Sequence, residues 1–175
     1  RLPRDIDLCT LLPHAALRVY VMGERAIQHE QANQADIAKM RALTREAMEA
    51  GAFGFSTSRT ISHKTLAGDL TPTLRAHEDE LTGIAMGMKE AGSGFLEIVS
   101  DWNEPSPEGE FAVLRRVVEK SGRTAVFSLT QRHDRPDFWR DLMRMSNEAK
   151  ADGLSIRPVA APRPIGILLG LEGSQ

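Results

Sequence analysis

The sequence lacks several features that mark large classes of protein. It has one cysteine, Cys9, in 175 residues, so no disulfide can form within the chain, which fits a reducing compartment such as the cytoplasm. No apolar run reaches the roughly 18 residues that a membrane span needs. Neither sign of charge dominates, because 22 Lys and Arg residues stand against 24 Asp and Glu residues. Binding to nucleic acid or to a membrane surface usually requires a basic excess, so we expect neither.

Motifs that identify a reaction are also missing. No G-x-G-x-x-G follows a predicted strand and no P-loop occurs, which argues against the common nucleotide-binding folds. There is no H-x-H, H-E-x-x-H or Cys/His cluster, and no G-x-S-x-G nucleophile elbow. Cys9 lies in an apolar run, residues 6–12, and is predicted to be an inert core thiol. Motifs therefore assign neither a catalytic residue nor a metal ligand.

The sequence does contain a repeated unit in which a helix end, a glycine, an apolar run and a polar tip follow one another. The glycines are Gly51, Gly92, Gly122 and Gly153. The last three lie roughly 30 residues apart, which is the size of one βαβ unit. Gly51 directly follows a helical pattern and is predicted to be the left-handed residue that ends that helix.

The apolar spacing predicts the individual elements. Strands are expected over residues 6–12, 52–55, 95–99, 125–129 and 154–159, and helices over 36–50 and 77–91, from Ser106 and Pro107 onward, and from Pro136 onward. Residues 24–34 are expected to be a surface loop, and residues 57–75 a long insertion of the kind that is often functional. Strands that alternate with helices predict an α/β fold with a parallel sheet. A doubly wound sheet and a partial (β/α)8 TIM-like barrel both fit, and the missing G-x-G-x-x-G favours the barrel.

Polar side chains follow the predicted strands, at the end where both architectures bind ligands. From these positions we predict a substrate site that contains His14, Arg18, Ser56, Thr57, Arg59, Asp101 and Arg157. Each has a structural alternative, since hydroxyls and aspartates at strand ends often only satisfy loop backbone groups, and an arginine can simply lie at the surface. A lone histidine such as His14 is often a hydrogen-bonded structural residue. His63, in the insertion, fits either a solvated position or a site.

Two stretches resemble a known family. LLPHAALRVYVMGERA, Leu11 to Ala26, is similar to the G-H-x-x-L-R-x-x-V-M-G segment of the N-acyl-D-amino-acid deacylase group of amidohydrolases, also called amidohydrolase family 3. MRALTREAMEAGAFGFSTSRT, Met40 to Thr60, resembles that family's M…L…EA…GA.G.STG segment, in the same order and at the same separation. APRPIGILLGLEGS, residues 161–174, resembles a downstream segment in one branch of the family.

The resemblance implies a metal-dependent (β/α)8 hydrolase that acts on C–N bonds. In such enzymes zinc or another divalent metal generates hydroxide from water, and a carboxylate passes the proton to the leaving amine. Family members are much longer, so residues 1–175 are expected to be an internal portion of one barrel domain, with no second domain. The family's H-x-H motif would lie before Arg1 and its catalytic aspartate after Gln175, which agrees with a sequence that begins on arginine.

The sequence also departs from the family pattern. In the deacylases two later strands end in metal-ligand histidines, in T-H-M-R-like and S-H-L-K-like motifs. The corresponding strand ends here are IVSDW, Ile98 to Trp102, and FSLTQ, Phe127 to Gln131, and neither has a histidine. No family metal ligand therefore carries over, and neither does the tyrosine that follows the S-T-G motif. The loop positions that do carry over are His14, Arg18, Ser56 and Thr57.

The residues and the resemblance leave three hypotheses about function. The first is a segment of an amidohydrolase-like enzyme that hydrolyses an N-acyl amino acid or similar small amide, with Arg59 or Arg157 holding a substrate carboxylate. The second is a non-catalytic barrel that binds a small carboxylate or amide. The third is an isolated chain without activity, whose two unpaired sheet edges pair with the rest of the barrel or with other copies. The first two predict a small-molecule partner, and none predicts nucleic acid or a membrane.

Overall fold

The computed structural model describes residues 5–102 and 106–162, in which five strands alternate with helices. The strands are β1 (Leu11–Pro13), β2 (Gly54–Arg59), β3 (Phe95–Ser100), β4 (Ala125–Ser128) and β5 (Ile156–Val159). The helices are α1 (His14–Met22), α2 (Glu24–Ile27), α3 (Gln34–Glu49), α4 (Glu78–Ala91), α5 (Pro107–Ser121) and α6 (Phe138–Ala151). None of the helices in this described part is long and apolar enough to cross a membrane.

The sheet has the order of a barrel section. All five strands run parallel, and their order across the sheet, β1-β2-β3-β4-β5, is the order of the sequence. A doubly wound sheet reverses its order at a switch point, whereas this sheet grows in one direction. Because crossovers are right-handed, such a sheet carries its connecting helices on one face, as a (β/α)8 barrel does. The predicted α/β fold and barrel architecture are confirmed.

The face of the sheet that the helices cover forms the core. Successive side chains of a strand point to opposite sides, so alternate strand residues share this face. Its buried apolar members are Phe55, Leu96, Ile98, Ala125, Phe127 and Ile156. The apolar stripes predicted on the helices are buried against them; in α5 these are Phe111, Leu114, Val117 and Val118.

The other face of the sheet carries polar and apolar side chains, and most of them remain at least partly exposed. Ser56 pairs with Glu97, Glu97 with Val126, and Val126 with Arg157, so the four lie at one level across neighbouring strands. Ser58 follows on the same side of β2, two residues further along the strand. We call this surface the interior face, because it would line the inside of a closed barrel.

Helix ends follow from local sequence. The Asn33 side chain accepts a hydrogen bond from the N–H of Asp36, whose carboxylate accepts one from the N–H of Asn33, and this capping box begins α3. Ser106 caps α5 ahead of Pro107, as the sequence predicts. Gly51 follows α3 with φ +101°, which confirms the predicted left-handed residue. The two caps fix where α3 and α5 begin, and Gly51 lies where the chain turns from α3 toward β2.

The first predicted strand is wrong over most of its length. The sequence predicts a strand over residues 6–12, but β1 begins only at Leu11. Leu11 pairs with Gly54, the first residue of β2, so the residues before it extend beyond the sheet. Ile6 is 71% exposed and Cys9 is exposed, so the prediction of a core thiol is also wrong.

Helix α1 was missed because of its charge. Arg18 interrupts an apolar run in the sequence, yet it is 1% exposed within α1, because its charge is paired inside the protein. The predicted loop over residues 24–34 contains α2 and ends where α3 begins. β2 continues to Arg59, so the insertion starts after that residue rather than at Thr57. Most of the third segment that resembles the family, from residue 163 on, lies outside the described residues.

Candidate functional site

A buried polar group lies behind the carboxyl ends of β1 and β2. We call it the His14 cluster, and its members are His14, Arg18, Thr57 and Glu80. His14 is the first residue of α1, directly after β1, and Thr57 lies on the helix-covered face of β2. Glu80 comes from the first turn of α4. Each residue of the cluster is at most 4% exposed.

Hydrogen bonds connect the four side chains in a row. Nδ1 of His14 lies 2.8 Å from Oγ1 of Thr57, and Nε2 of His14 lies 2.7 Å from Oε1 of Glu80. Nε of Arg18 donates to the same carboxylate oxygen at 2.8 Å. An ionised carboxylate only accepts hydrogen bonds, so the imidazole proton is on Nε2 and Nδ1 accepts from the Thr57 hydroxyl. The row runs from a hydroxyl through an imidazole to a carboxylate that a guanidinium holds.

Burial and pairing set the charges of the cluster. Removal from water lowers the pKa of His14, and the hydrogen bond to Glu80, which acts in the opposite direction, does not offset this. Burial alone would raise the pKa of Glu80, but the hydrogen bond from His14 and the positive charge of Arg18 outweigh it and leave that pKa below its ordinary value. At neutral pH the cluster therefore holds a neutral imidazole between a hydroxyl and an anionic carboxylate.

Arg18 also ties three chain segments together. Its Nη1 donates to the carbonyl oxygens of Pro72 at 2.7 Å and Ala26 at 3.3 Å, and its Nη2 donates to that of Glu30 at 2.5 Å. Pro72 belongs to the loop between β2 and α4, so this loop is held against α1. The guanidinium is engaged by the protein itself, and contact between Arg18 and a substrate stays a prediction.

A second ion pair lies behind the ends of β2 and β3. Nε of Arg59 lies 2.5 Å from Oε1 of Glu110, and Nη2 donates to Oε2 at 3.1 Å. Nη1 donates to the carbonyl oxygen of Ala76 at 2.6 Å, and the Ser100 hydroxyl donates to Glu110 at 3.1 Å. Arg59 thus binds a carboxylate bidentately, as predicted for a substrate, but the carboxylate belongs to the protein.

Asp101 anchors the loop that follows β2. Its carboxylate accepts hydrogen bonds from the Thr60 hydroxyl at 2.6 Å and the Ile61 N–H at 2.8 Å. Its carbonyl oxygen accepts from Nη1 of Arg132 at 3.0 Å. These groups border an opening of about 340 Å³ at the ends of β3 and β4, which Ser128 also lines. Asp101 therefore lies where the sequence places it, and its contact with a ligand stays a prediction.

A smaller cavity, of about 170 Å³, opens on the interior face near the end of β2. Its lining includes His14, Ser56, Thr57, Ser58, Thr73 and Glu97. The Ser58 hydroxyl lies 2.6 Å from Nδ1 of His63, in the loop after β2. The Thr73 hydroxyl donates to the carbonyl oxygen of Ser58 at 2.6 Å. Hydroxyls, imidazoles and a carboxylate thus meet at the edge of the sheet where a barrel binds its ligand.

Arg157 lies apart from these groups. It is exposed on β5, and its Nε donates to the Ser155 hydroxyl at 3.2 Å. On the interior face it stands at the level of Glu97, two strands away, which is roughly 10 Å at the usual strand spacing. The interior face therefore carries opposite charges on β3 and β5.

The structure groups some of the predicted site residues and separates others. His14, Arg18 and Thr57 meet in one buried cluster. Arg59, the last residue of β2, and Asp101, directly after β3, lie next to each other, since the Asp101 N–H donates to the Arg59 carbonyl at 3.2 Å. Ser56 and Arg157, by contrast, lie on the interior face.

Sequence reasoning missed the carboxylates that complete these groups. Glu80 and Glu110 each lie four residues before an inward-facing apolar residue, Ile84 in α4 and Leu114 in α5. The helical period therefore places both on the buried face, and this was the available signal. The signal for Glu97 was weaker, since it is only the single charged residue in an apolar strand.

The described residues do not form a metal centre. Nowhere in residues 5–102 and 106–162 are three or more His, Cys, Asp or Glu side chains placed to hold an ion. His14 and Glu80 bind each other, but the Arg18 guanidinium occupies the same carboxylate oxygen and would repel a cation. These residues by themselves do not fit the divalent metal that the family resemblance implies.

The sheet is parallel, its helices cover one face, and polar side chains lie at the strand ends. These features define a section of a (β/α)8 barrel, in which the site lies at the carboxyl ends of the strands. The sequence matches the amidohydrolase family over residues 3–163, and the chain belongs to that family. No curated protein matches the sequence.

Solved structures share the fold. N-acyl-D-glutamate deacylase from Bordetella bronchiseptica, complexed with zinc and a phosphonate inhibitor that mimics the tetrahedral intermediate, matches with a TM-score of 0.69 and 21% identity, over 91% of this chain and 31% of that chain. D-aminoacylase gives 0.65 and 17%, over 86% and 29%. A D-aminoacylase structure that addresses the role of its binuclear metal centre gives 0.63 and 18%, over 86% and 29%. This chain spans less than a third of each, and at these identities the likeness shows the fold alone.

Proposed function

We propose that this chain is an internal portion of a barrel that hydrolyses the amide C–N bond of a small molecule such as an N-acyl amino acid. Membership of the amidohydrolase family and the deacylases among the structural neighbours support this reaction class. The observation that carries the proposal is the cavity on the interior face, where polar side chains meet at the ends of the strands that hold substrates in (β/α)8 enzymes.

The charges of the interior face suggest how such a substrate lies. The Arg157 guanidinium on β5 holds the substrate carboxylate, while Glu97 repels that carboxylate from β3. The acyl end then lies toward β2, with Ser56 and Asp101 at its sides. Four predicted residues, His14, Arg18, Thr57 and Arg59, support the site from behind by fixing the strand ends and the loop after β2.

The test is a hydrolysis assay on the complete protein that carries this segment. N-acetyl amino acids of both the D and the L series are offered, and we expect release of acetate from one series. Arg157→Ala should lower kcat/KM about 10- to 100-fold, since a charge-assisted hydrogen bond contributes about 1.5–3 kcal/mol. Lys150→Ala removes a similar exposed charge from α6 and serves as the control. No turnover, or an unchanged kcat/KM in Arg157→Ala, would contradict the proposal.

We further propose that zinc or another divalent metal in the complete protein is held by residues other than those described here. The zinc in the N-acyl-D-glutamate deacylase structure and the absence of a metal-holding group in the described residues both support this division. Elemental analysis of protein purified without chelator tests it. Stoichiometric zinc would support it, and no metal after zinc has been supplied would contradict it.

A second candidate is a barrel that binds a small carboxylate or amide without hydrolysing it. The observation that favours it is that β3 and β4 end without the histidines of the deacylases, at Ser100 and Ser128. This candidate predicts that N-acetyl amino acids raise Tm while no product forms. Turnover of any such ligand would remove it.

The isolated chain is proposed to be inactive. β1 and β5 each have one neighbour in the sheet, so both edges present unpaired backbone groups to the rest of the barrel or to another copy. Light scattering should show association that increases with concentration, and a monomer at every concentration would contradict this.

A cytoplasmic location is proposed as well, since the exposed thiol of Cys9 suits a reducing compartment.

A further inference from the structure

Glu97 lies on the interior face of β3 and lines the smaller cavity there. Its side chain is partly buried, and within residues 5–102 and 106–162 nothing pairs with its carboxylate or donates a hydrogen bond to it. We propose that Glu97 binds the positively charged end of a ligand whose carboxylate Arg157 holds. The inference rests on the proposed function and names its substrate class, an N-acyl amino acid with a cationic side chain such as that of lysine or arginine.

Glu97 differs from the other carboxylates of the described residues that are at least partly buried. Arginine forms an ion pair with each of Asp36, Glu78, Glu80 and Glu110. Asp101 accepts hydrogen bonds from the loop after β2. Removing a carboxylate from water is unfavourable unless a cation or hydrogen-bond donors compensate for it. In the described part of the chain only Glu97 lacks such compensation, and its side chain borders the cavity.

The cavity beside Glu97 suits a positive charge. Among the described residues that line it none is an arginine or a lysine, and the His14 imidazole is held between Thr57 and Glu80. The hydroxyls of Ser58 and Thr71 also line the cavity and can accept hydrogen bonds from the N–H groups of an ammonium that Glu97 does not take. A volume of about 170 Å³ admits the end of a side chain rather than a whole substrate.

Three residues at one level of the sheet match the parts of such a ligand. Glu97 on β3 pairs in register with Val126 on β4, and Val126 pairs with Arg157 on β5. The charged residues are therefore two strands apart, roughly 10 Å at the backbone, and a partly exposed valine lies between them. This order of anion, apolar group and cation is complementary to a ligand with an ammonium, a methylene chain and a carboxylate.

This arrangement orients the whole substrate. Its carboxylate binds Arg157, and its side chain crosses Val126 and ends at Glu97. The acyl group, on the remaining substituent of the α-carbon, then points toward the carboxyl ends of the strands, where (β/α)8 enzymes react. An uncharged side chain would leave the Glu97 carboxylate without a cation, so the site should select against it.

The first test measures specificity in the complete protein that carries this segment. Nα-acetyl-lysine and Nα-acetyl-norleucine differ only in the ammonium, and they are offered in the series that the enzyme hydrolyses. We expect kcat/KM for the lysine compound to be about 10- to 100-fold higher, as a charge-assisted hydrogen bond predicts. Glu97→Gln should bring the two values together.

The matched control is Glu46→Gln, which removes an exposed carboxylate from α3 and should keep the preference of the parent protein. Because both substrates are compared in the same protein, partial unfolding of a variant does not change the ratio. Equal values in the parent protein, or an unchanged ratio in Glu97→Gln, would overturn the inference.

A second measurement needs no turnover. 6-Aminohexanoate carries an ammonium and a carboxylate at the ends of a methylene chain and has no amide to hydrolyse, and hexanoate lacks the ammonium. Titration calorimetry of the complete protein should give 6-aminohexanoate a Kd about tenfold or more below that of hexanoate, and Glu97→Gln should remove the difference. Arg157→Ala should weaken both ligands by the same factor. Equal Kd values in the parent protein, or no binding of 6-aminohexanoate, would overturn the inference.

The outcomes separate this inference from the proposed function. If both N-acetyl compounds are hydrolysed with the same kcat/KM, the inference fails while the proposed function stands. If 6-aminohexanoate binds in a Glu97-dependent way but no N-acetyl amino acid is hydrolysed, the cation site stands and the proposed reaction fails. If Glu97→Gln lowers Tm and leaves the specificity ratio unchanged, Glu97 pairs with another part of the complete protein, which overturns the inference.

Discussion

Two neighbouring residues of β2 carry two hydroxyl–imidazole pairs in opposite surroundings. Thr57 lies 2.8 Å from His14, and Ser58 lies 2.6 Å from His63. Strand alternation turns Thr57 toward the helices, where it is buried, and Ser58 toward the interior face, where it is partly exposed. Nearly the same contact therefore occurs once between buried residues and once at the partly exposed interior face.

The difference in burial, rather than the hydroxyl–imidazole contact itself, separates the roles of His14 and His63. The second nitrogen of His14 is committed to Glu80, and a proton added to the ring would place a new charge in a buried site beside Arg18. His63, by contrast, is exposed in the loop after β2. His14 is suited to hold the strand ends in place, whereas His63 makes its contact with Ser58 at the surface.

Removing the Arg18 guanidinium from the His14 cluster should have the largest effect on stability. Arg18→Met should lower the free energy of unfolding by about 3–5 kcal/mol, because the Glu80 carboxylate loses its cation and three carbonyl oxygens lose a donor. Urea denaturation measures this loss.

The matched control is the double variant Arg18→Met, Glu80→Gln, which removes the charge of both partners. It should be more stable than Arg18→Met alone, because no unpaired charge stays buried. If Arg18→Met loses less than about 1 kcal/mol of unfolding free energy, which is typical of an exposed ion pair, the His14 cluster does not stabilise the fold in the way argued here.

A change at Thr57 tests the buried hydroxyl by itself. Thr57→Val keeps the shape of the side chain and should cost about 1–3 kcal/mol, because Nδ1 of His14 stays buried without a donor. Urea denaturation of Thr57→Ser, which keeps the hydroxyl and loses a methyl group, gives the control. If both variants lose the same amount, packing rather than the hydrogen bond explains the effect.

The pattern of the sequence predicts the scaffold better than these buried contacts. Periodicity identified four helices and the apolar strands because each buries one continuous face, as with Leu81, Ile84 and Met88 of α4. It failed at α1, where the buried residue is the charged Arg18. A charge that is neutralised by a partner 62 positions away, as Arg18 is by Glu80, cannot be distinguished in the sequence from a charge in solvent.

The candidate site shows the same limit. The sequence placed the polar residues near the strand ends, since the glycine repeat shows roughly where each strand begins, although β2 continues to Arg59. It did not say which face each residue takes, because that depends on one-residue register: Ser56 and Ser58 face the interior and Thr57 the helices. His63 was left open between solvent and site, and the structure places it in an exposed position 2.6 Å from the Ser58 hydroxyl.

His14 and Glu80 should also make the stability of the protein depend on pH. The pKa of His14 lies below its ordinary value of 6.5 and that of Glu80 below 4.5, so the unfolded chain binds these protons more readily. The stabilisation from His14 is complete above about pH 6.5 and is lost as the pH falls through its folded pKa, with Glu80 adding to the loss below about pH 4.5. One proton changes stability by at most about 1.4 kcal/mol per pH unit.

Urea denaturation between pH 8 and pH 5 checks this dependence. His14→Gln should flatten the decline on acidification, since the group that titrates is gone. If His14→Gln declines as steeply as the parent protein, the assignment of this pH dependence to His14 is contradicted.

The smallest expected effect on stability belongs to the exposed pair. Ser58→Ala and His63→Gln should each stay within about 0.5 kcal/mol of the parent protein in urea denaturation, because water replaces the hydrogen bond that is lost. The comparison with Thr57→Val is direct, since residues 57 and 58 are adjacent and each loses one hydroxyl. If Ser58→Ala costs as much as Thr57→Val, the Ser58–His63 contact stabilises the fold in the same way as Thr57–His14.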